Sequence, residues 1–405
     1  MPDSRVQAAI NNWAPRFTSQ GVDYNDFVRT TGKIERWEEW LDAWRETGDM
    51  HAQLAATAEA EGNRLTAGEA YVRAALCYHF AKFVWMLDMN KYRSAADRAV
   101  SSLYQAHRLL DETAERVESA GESPPTPLDK GGEEAPQAMQ SVAALGAESP
   151  PTPLYKGGAE FPPAPLTKGG EEVRVVGNLR RPPGVERAPL VLLLPGLDST
   201  KEEFFHWEKV FLARGMATLS LEGPGQGETG YTSHIRPDYE VAVQAMLAAL
   251  EGRRDIDLDR VGIVGVSLGG YYALRAAAFE PRLRAAAAIG GPYDFGECWP
   301  GLPSITRETF IHHSGAKNED EAQEKASQLN LREVAPRVEQ PMLVVFGKLD
   351  RLIPWQQADR LATEAPNARL VMYEDGNHVC NNIPYKYRPL VADWMSRALK
   401  KAVHV

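Results

Sequence analysis

"VGIVGVSLGGYYAL", residues 261–274, decides how this chain folds. An apolar run closes on a serine between two glycines, and a helical pattern through Tyr271, Leu274, Ala277 and Ala278 follows. A buried strand has no use for a hydroxyl at its carboxyl end. A plain turn does not require small residues on both sides of it. A nucleophile elbow requires both: the serine sits on a strained strand-to-helix turn, and flanking glycines let neighbouring backbone approach. The next residue, Leu268, opens the helix, where its N–H can point at a developing oxyanion. The stretch predicts a strand, a sharp turn at Ser267 and a helix.

Outward from the elbow, apolar runs recur. "VRVVGNL", "PLVLLLPG" and "MATLSLEG" precede it; "RAAAAIGG", "PMLVVFG" and "ARLVMYED" follow. Helical stretches such as "DYEVAVQAMLAALEG" separate them. Continuous apolar strands alternating with helices predict an α/β fold, a mostly parallel sheet with helices on both faces. Chemistry in such sheets gathers at the carboxyl ends of the strands.

Those ends carry the remaining parts of a site. Asp350 follows "PMLVVFG", and His378 follows "ARLVMYED". With Ser267 they give the chain order Ser, Asp, His of α/β-hydrolases. Ser267 is a weak nucleophile unless His378 takes its proton, and a carboxylate must hold the imidazole in the right tautomer. Asp350 fits that role because it directly follows a strand; Glu374 and Asp375 lie too near His378 in sequence, and Asp359 falls in a predicted helix. Asp350 also reads as a turn or cap residue ahead of a helix starting near Trp355. Two backbone N–H groups should cradle the oxyanion: Leu268, and Leu197 in "LLLPGLDSTKEEF", with Asp198 as the rival of Leu197. Glu297, in "YDFGECW", is a candidate auxiliary acid or substrate contact, with an ordinary loop carboxylate as the alternative.

The first part of the chain, to about Glu118, reads as helix. Ile34, Trp37, Leu41 and Trp44 share one face. "LTAGEAYVRAALCYHFAKFVW" has Thr66 and Glu69 in capping-box spacing and Tyr71, Tyr78 and Trp85 in line. A third run passes through Ala96, Val100, Leu103, His107 and Leu110. Large aromatics at such spacing predict a buried bundle core, and the helix Tyr71–Trp85 is a candidate wall for a substrate pocket. Next come near-copies, "SPPTPLDKGGEE", "SPPTPLYKGGAE" and "FPPAPLTKGGEE", starting at Ser123, Ser149 and Phe161. Their proline and glycine content leaves little apolar surface to offset ordering entropy, so they predict a disordered linker. The expected organisation is a helical domain over 1–118, a repeat linker over 119–171 and a catalytic domain over 172–405.

Bulk properties narrow the function. Of 405 residues 43% are hydrophobic and 25% charged, as in ordinary globular proteins. A net charge of -10 disfavours nucleic acid as a partner. Neither a signal peptide nor a membrane span is evident, so the expectation is a cytoplasmic protein with no membrane partner. Cys77, Cys298 and Cys380 suggest neither a disulfide framework nor a zinc motif. Gly223, Gly225 and Gly227 lack the spacing of a dinucleotide loop. Adjacent helical residues His312 and His313 diverge by about 100°, too far to share a metal ion, and read as a surface pair.

With these residues in view, the chain resembles the α/β-hydrolase family that contains 2,6-dihydroxypseudooxynicotine hydrolase and its esterase-like relatives. "LTAGEAYVRAALCYHFAKFVW", "LPGLDSTKEE", "EGPGQGE", "GVSLGGYYALRAAAFEPRL" and "GNHVCNNIPYKYRPLVADW" carry the resemblance. It implies an N-terminal helical cap over a hydrolase domain, no cofactor, a homodimer, and a triad at Ser267, Asp350 and His378. The expected activity is hydrolysis of a small, partly apolar carbonyl compound, either at a carbon–carbon bond beside a ketone or at a carboxylester.

Overall fold

In the computed structural model, which describes residues 3–119 and 174–400, the apolar runs are strands of one sheet. The chain begins with α1 (Ser4–Gln20), α2 (Tyr24–Thr31), α3 (Trp40–Ala60), α4 (Arg64–Lys82) and α5 (Met89–Leu110). It enters the sheet with β1 (Glu115–Glu118). After residue 173 come β2 (Val176–Arg180), β3 (Ala188–Leu194), α6 (Phe205–Leu212), β4 (Ala217–Glu222), α7 (Glu240–Ala249), β5 (Ile256–Val266) and α8 (Leu268–Phe279). β6 (Leu283–Ile289), α9 (Phe295–Cys298), α10 (Ser304–Ser314) and α11 (Glu319–Gln328) follow. The last elements are β7 (Met342–Gly347), α12 (Gln356–Glu364), β8 (Ala368–Tyr373) and α13 (Pro384–Ala398).

The eight strands lie in the order β1-β2-β4-β3-β5-β6-β7-β8. The β1–β2 and β2–β4 pairs are antiparallel and the rest parallel. The two-residue period of a strand explains why its runs are apolar throughout. On β3, Leu190, Leu192 and Leu194 join a core that continues into the N-terminal helices, while Val191 and Leu193 join a second core under α6 and α13. Both faces are covered. This is the α/β-hydrolase fold, with a helical region ahead of it.

The helical region holds together around aromatic rings. Phe17 of α1 stacks on Phe80 of α4 with centroids 3.9 Å apart, and Trp37, Trp40 and Trp44 are all at most 1% exposed. Trp40 Nε1 donates to the Phe80 carbonyl (3.1 Å) and Trp85 Nε1 to that of Trp37 (2.9 Å). Each buried ring of this size contributes about 1.5–3 kcal/mol. These aromatics are core, as their spacing predicts.

Three local expectations are corrected. Helix α4 starts at Arg64, so Thr66 and Glu69 lie inside it and form no capping box; Gly62, at φ 79°, turns the chain straight out of α3. The same helix ends at Lys82, leaving Trp85 beyond it, because Val84 adopts φ 51°. The region read as helix to Glu118 stops being helical at Leu110, and Glu115–Glu118 is a strand. The sequence of that strand, Glu-Arg-Val-Glu, hides it: Arg116 is anchored by Glu118 (2.6 Å) and Glu228 (2.7 Å), not by apolar packing.

The repeat linker predicted over 119–171 lies outside the described residues, apart from Ser119. The chain on either side of it is joined. Ser119 N–H donates to the Val175 carbonyl (2.9 Å), and Val175 N–H donates to Ser119 Oγ (2.9 Å). The segment thus departs from and returns to one point, the end of the β1–β2 pair.

Candidate active site

Ser267 stands between β5 and α8 at φ 54° and ψ −130°, a conformation that costs a non-glycine residue about 1–3 kcal/mol. Surrounding backbone enforces it. A Cβ on Gly265 would lie 1.8 Å from the Gly269 carbonyl oxygen, and one on Gly269 would lie 2.4 Å from that of Leu194. Only glycine fits at either position. The Ser267 N–H is fixed by the Ile289 carbonyl of β6 (2.9 Å). The predicted strand, sharp turn and helix are all present.

His378 opens a short turn after β8, in which Val379 (φ 58°) and Cys380 (φ 54°) both take left-handed backbone. A β-branched residue there is an outlier, held by the fold around it. The ring lies between its two expected partners. Nδ1 is 2.7 Å from Asp350 Oδ2, and Nε2 is 2.9 Å from Ser267 Oγ. Asp350 Oδ1 accepts the N–H groups of Leu352 (2.8 Å) and Ile353 (3.0 Å). One oxygen therefore orders the turn ahead of α12, whose N-cap is Trp355, and the other faces the imidazole. With Nδ1–H donating to a carboxylate, Nε2 is left to accept the serine proton. The rival carboxylates are engaged elsewhere: Asp375 with Lys386 (2.6 Å) and Glu374 with Lys348 (2.8 Å).

The loop after β3 closes the other side. A Cβ on Gly196 would come within 2.9 Å of Ser267 Cβ and 3.3 Å of its Oγ, so the loop lies directly against the serine. Gln226 Nε2 holds the preceding Pro195 carbonyl (2.6 Å). Leu197 follows, and among the described residues neither its N–H nor that of Leu268 meets a protein acceptor. Both are free for a ligand oxygen.

The N–H of Asp198, the alternative donor, likewise meets no protein acceptor among the described residues, while its side chain is fully engaged. Asp198 is 2% exposed, at φ 55°. Its carboxylate receives Lys82 Nζ (3.2 Å), the Val84 N–H, the Tyr92 hydroxyl and His313 Nε2 (3.1 Å). Burial would raise its pKa, but Lys82 and the bonds from His313 and Tyr92 hold it well below the usual value. His313 is accordingly no surface residue: it is 7% exposed and faces Asp198, which corrects the expectation of a surface pair. Glu203, in the same loop, takes both arms of Arg16 (2.5 Å each), and His79 Nδ1 lies 3.0 Å from Thr200 Oγ1. Burial alone would also raise Glu203, yet Arg16 and His79 keep it well below the usual range.

The remaining candidates lie elsewhere. Glu297, on α9, is bridged by Arg332 (2.9 Å) and Arg360 (2.7 Å) and is not bonded to Ser267, His378 or Asp350. Tyr71 bonds Glu59 (3.2 Å) and Tyr78 bonds Asp49 (2.6 Å), so their polar ends face neighbouring helices. The end of that stretch, Lys82 and Val84, meets Asp198. Sequence reading missed Lys82, Tyr92, His313, Arg16 and His79. Only Lys82, a charged residue in the largely apolar run "AALCYHFAKFVW", marked them. Among the described residues no cluster of His, Cys, Asp and Glu could hold a metal ion, and no helix is long and apolar enough to cross a membrane.

Comparison with known proteins agrees with this geometry. Residues 203–402 match the prolyl oligopeptidase family. The chain is 32% identical to 2,6-dihydropseudooxynicotine hydrolase of Paenarthrobacter nicotinovorans, over 95% of this chain and 90% of that protein. It is 31% identical to 20-hydroxy-prefusarin hydrolase of Gibberella moniliformis, over 69% of this chain and 58% of that one. The crystal structure of the 2,6-dihydroxy-pseudo-oxynicotine hydrolase superposes with a TM-score of 0.76 at 30% identity, covering 96% of each chain. AbyA5, at 20% identity and a TM-score of 0.63, shares the fold over 88% of this chain and 89% of its own. The chain belongs to the α/β-hydrolase family of 2,6-dihydropseudooxynicotine hydrolase.

Proposed function

We propose, with that membership as the premise, that this protein is a serine hydrolase cleaving a carbon–carbon bond beside the carbonyl of a small, partly apolar ketone. The observation that carries the reading is the unbroken chain Ser267 Oγ, His378, Asp350, at 2.9 and 2.7 Å, on a serine in elbow conformation. Relatives named as hydrolases support it.

The chemistry follows from the positions. Ser267 Oγ attacks the ketone carbon while His378 Nε2 takes the hydroxyl proton, and Asp350 stabilises the imidazolium. The carbonyl electron pair moves onto oxygen, which receives the Leu197 and Leu268 N–H groups. As the carbonyl re-forms, the carbon–carbon bond breaks; its electron pair leaves with the departing carbon, which takes the proton from His378. A water molecule, deprotonated by His378, then attacks the acyl-serine, releasing a carboxylic acid and restoring Ser267.

Ester and ketone give the same oxyanion, so the two N–H groups cannot tell them apart. The leaving groups differ. An alkoxide departs readily, whereas a carbon must be stabilised by an electron-poor ring or a second carbonyl. Steady-state kinetics on matched ketone and ester pairs test the assignment. Aryl ketones or β-diketones should show the higher kcat/KM. Efficient ester turnover, with no acid released from any ketone, would leave a carboxylesterase in its place.

A further inference from the structure

The loop from Gly196 to Glu203 carries one of the two oxyanion donors; Glu222 of β4 holds its Lys201, and the turn at its start is held from the helices. Ser199 N–H donates to the Gly196 carbonyl (3.3 Å), which closes a turn with Leu197 and Asp198 as its central residues. The third residue of such a turn takes positive φ most readily as glycine or asparagine, and an aspartate there tolerates it where its side chain is held. Asp198 is so held. Lys82 Nζ grips both its carboxylate (3.2 Å) and its backbone carbonyl (3.0 Å), and the Tyr92 hydroxyl, the Val84 N–H and His313 Nε2 share the two carboxylate oxygens. Lys82 Nζ and the Val84 N–H can only donate and sit one on each carboxylate oxygen, which suits a carboxylate, since an amide would turn its N–H toward one of them. Val84 itself takes φ 51°, ending α4 where its N–H reaches Asp198.

We propose that Asp198 is a positioning residue: gripped by donors from α4, α5 and α10, it fixes the turn that presents the Leu197 N–H to the oxyanion formed at Ser267. The inference rests on the serine-hydrolase reading above and adds a role for the N-terminal helices. They brace the turn that carries one of the two donors. The direction of the Leu197 N–H is set together with the conformation of Asp198, because both lie within one closed turn. A donor misdirected in the transition state lowers kcat while leaving ground-state binding nearly unchanged.

The test is Asp198→Asn, which keeps size and tolerance of left-handed backbone but cannot accept from all its partners. The expected result is a fall in kcat of about 10²-fold, the scale of losing one oxyanion donor, with KM little changed. Lys82→Met/Asp198→Asn removes both buried charges and separates positioning from stability. Melting temperature should recover in the double variant, and kcat should remain low. Wild-type kcat in Asp198→Asn, or recovery of kcat together with melting temperature in the double variant, would overturn the proposal. If Asp198→Asn does not fold, Tyr92→Phe removes a single donor and keeps the ring; a lower kcat at unchanged KM supports the role, and an unchanged kcat overturns it. Ser267→Ala is assayed alongside. An inactive Ser267→Ala beside a fully active Asp198→Asn rejects positioning alone, whereas an active Ser267→Ala removes the serine-hydrolase reading and this proposal with it.

Discussion

The two sides of the site are built differently. Ser267, Asp350 and His378 stand at the carboxyl ends of β5, β7 and β8, each placed by a strand of one sheet and by backbone contacts close at hand. The facing loop, Leu197 to Glu203, is held by side chains from α1, α4, α5 and α10, more than a hundred residues away in sequence. The first side is a local construction of glycines, turns and apolar strands. The second is a buried electrostatic one, in which acceptor-only carboxylates are surrounded by donors. A local construction leaves its mark in a short stretch of sequence. An assembly of ion pairs between distant segments leaves almost none.

The largest effect separating the two sides is expected from Asp350→Asn. The amide can offer its N–H to Nδ1 and turn the imidazole to the wrong tautomer, which elsewhere costs about 10⁴ in kcat. The fold should be unchanged, since the amide oxygen can still accept from Leu352 and Ile353. Circular dichroism beside steady-state kinetics checks both halves. A variant with near-wild-type turnover would show that the imidazole is oriented by something else.

On the opposite side, Arg16→Met should act on stability first. It strands Glu203, whose side chain is 2% exposed, and breaking a buried pair in this way costs about 3–5 kcal/mol. Denaturant unfolding measures the loss. A change below about 1 kcal/mol, the range of exposed pairs, would mean that the helical region does not brace the loop.

The smallest effect is expected outside both sides. Replacing residues 121–173 by Asn-Gly offers the β1–β2 pair a two-residue hairpin turn. Ser119 and Val175 are already bonded, so the sheet needs nothing from the intervening segment. Loop closure changes by about 0.6 kcal/mol per doubling of length and favours the shorter chain. Melting temperature should hold or rise, and activity should stay. Loss of either would give the repeats a structural role.

Legibility in the sequence followed the same division. The parallel strands were readable because burial on both faces makes their runs mostly apolar, and Ser267, Asp350 and His378 because each stands at or just beyond the end of such a run. Strand β1 was not, since only Val117 of its four residues is apolar and Arg116 is held between Glu118 and Glu228. His313 looked like half of a surface pair because nothing in "FIHHSG" points to a carboxylate 115 positions earlier. Lys82 was quoted inside an apolar helix without a role, although a lysine 1% exposed must be paired. Buried charge amid apolar sequence was the one signal of the second side, and it needed the fold to supply the partner.

Labelling by a fluorophosphonate, followed by peptide mass spectrometry, tests the acyl-enzyme on Ser267 most directly. The probe needs a serine activated by its histidine and mimics the tetrahedral intermediate in the oxyanion hole. The account predicts one adduct, on the peptide containing Ser267, turnover lost in proportion to labelling, and no adduct in Ser267→Ala. Full turnover by protein labelled at Ser267, or an adduct on a different residue that abolishes activity, would contradict it.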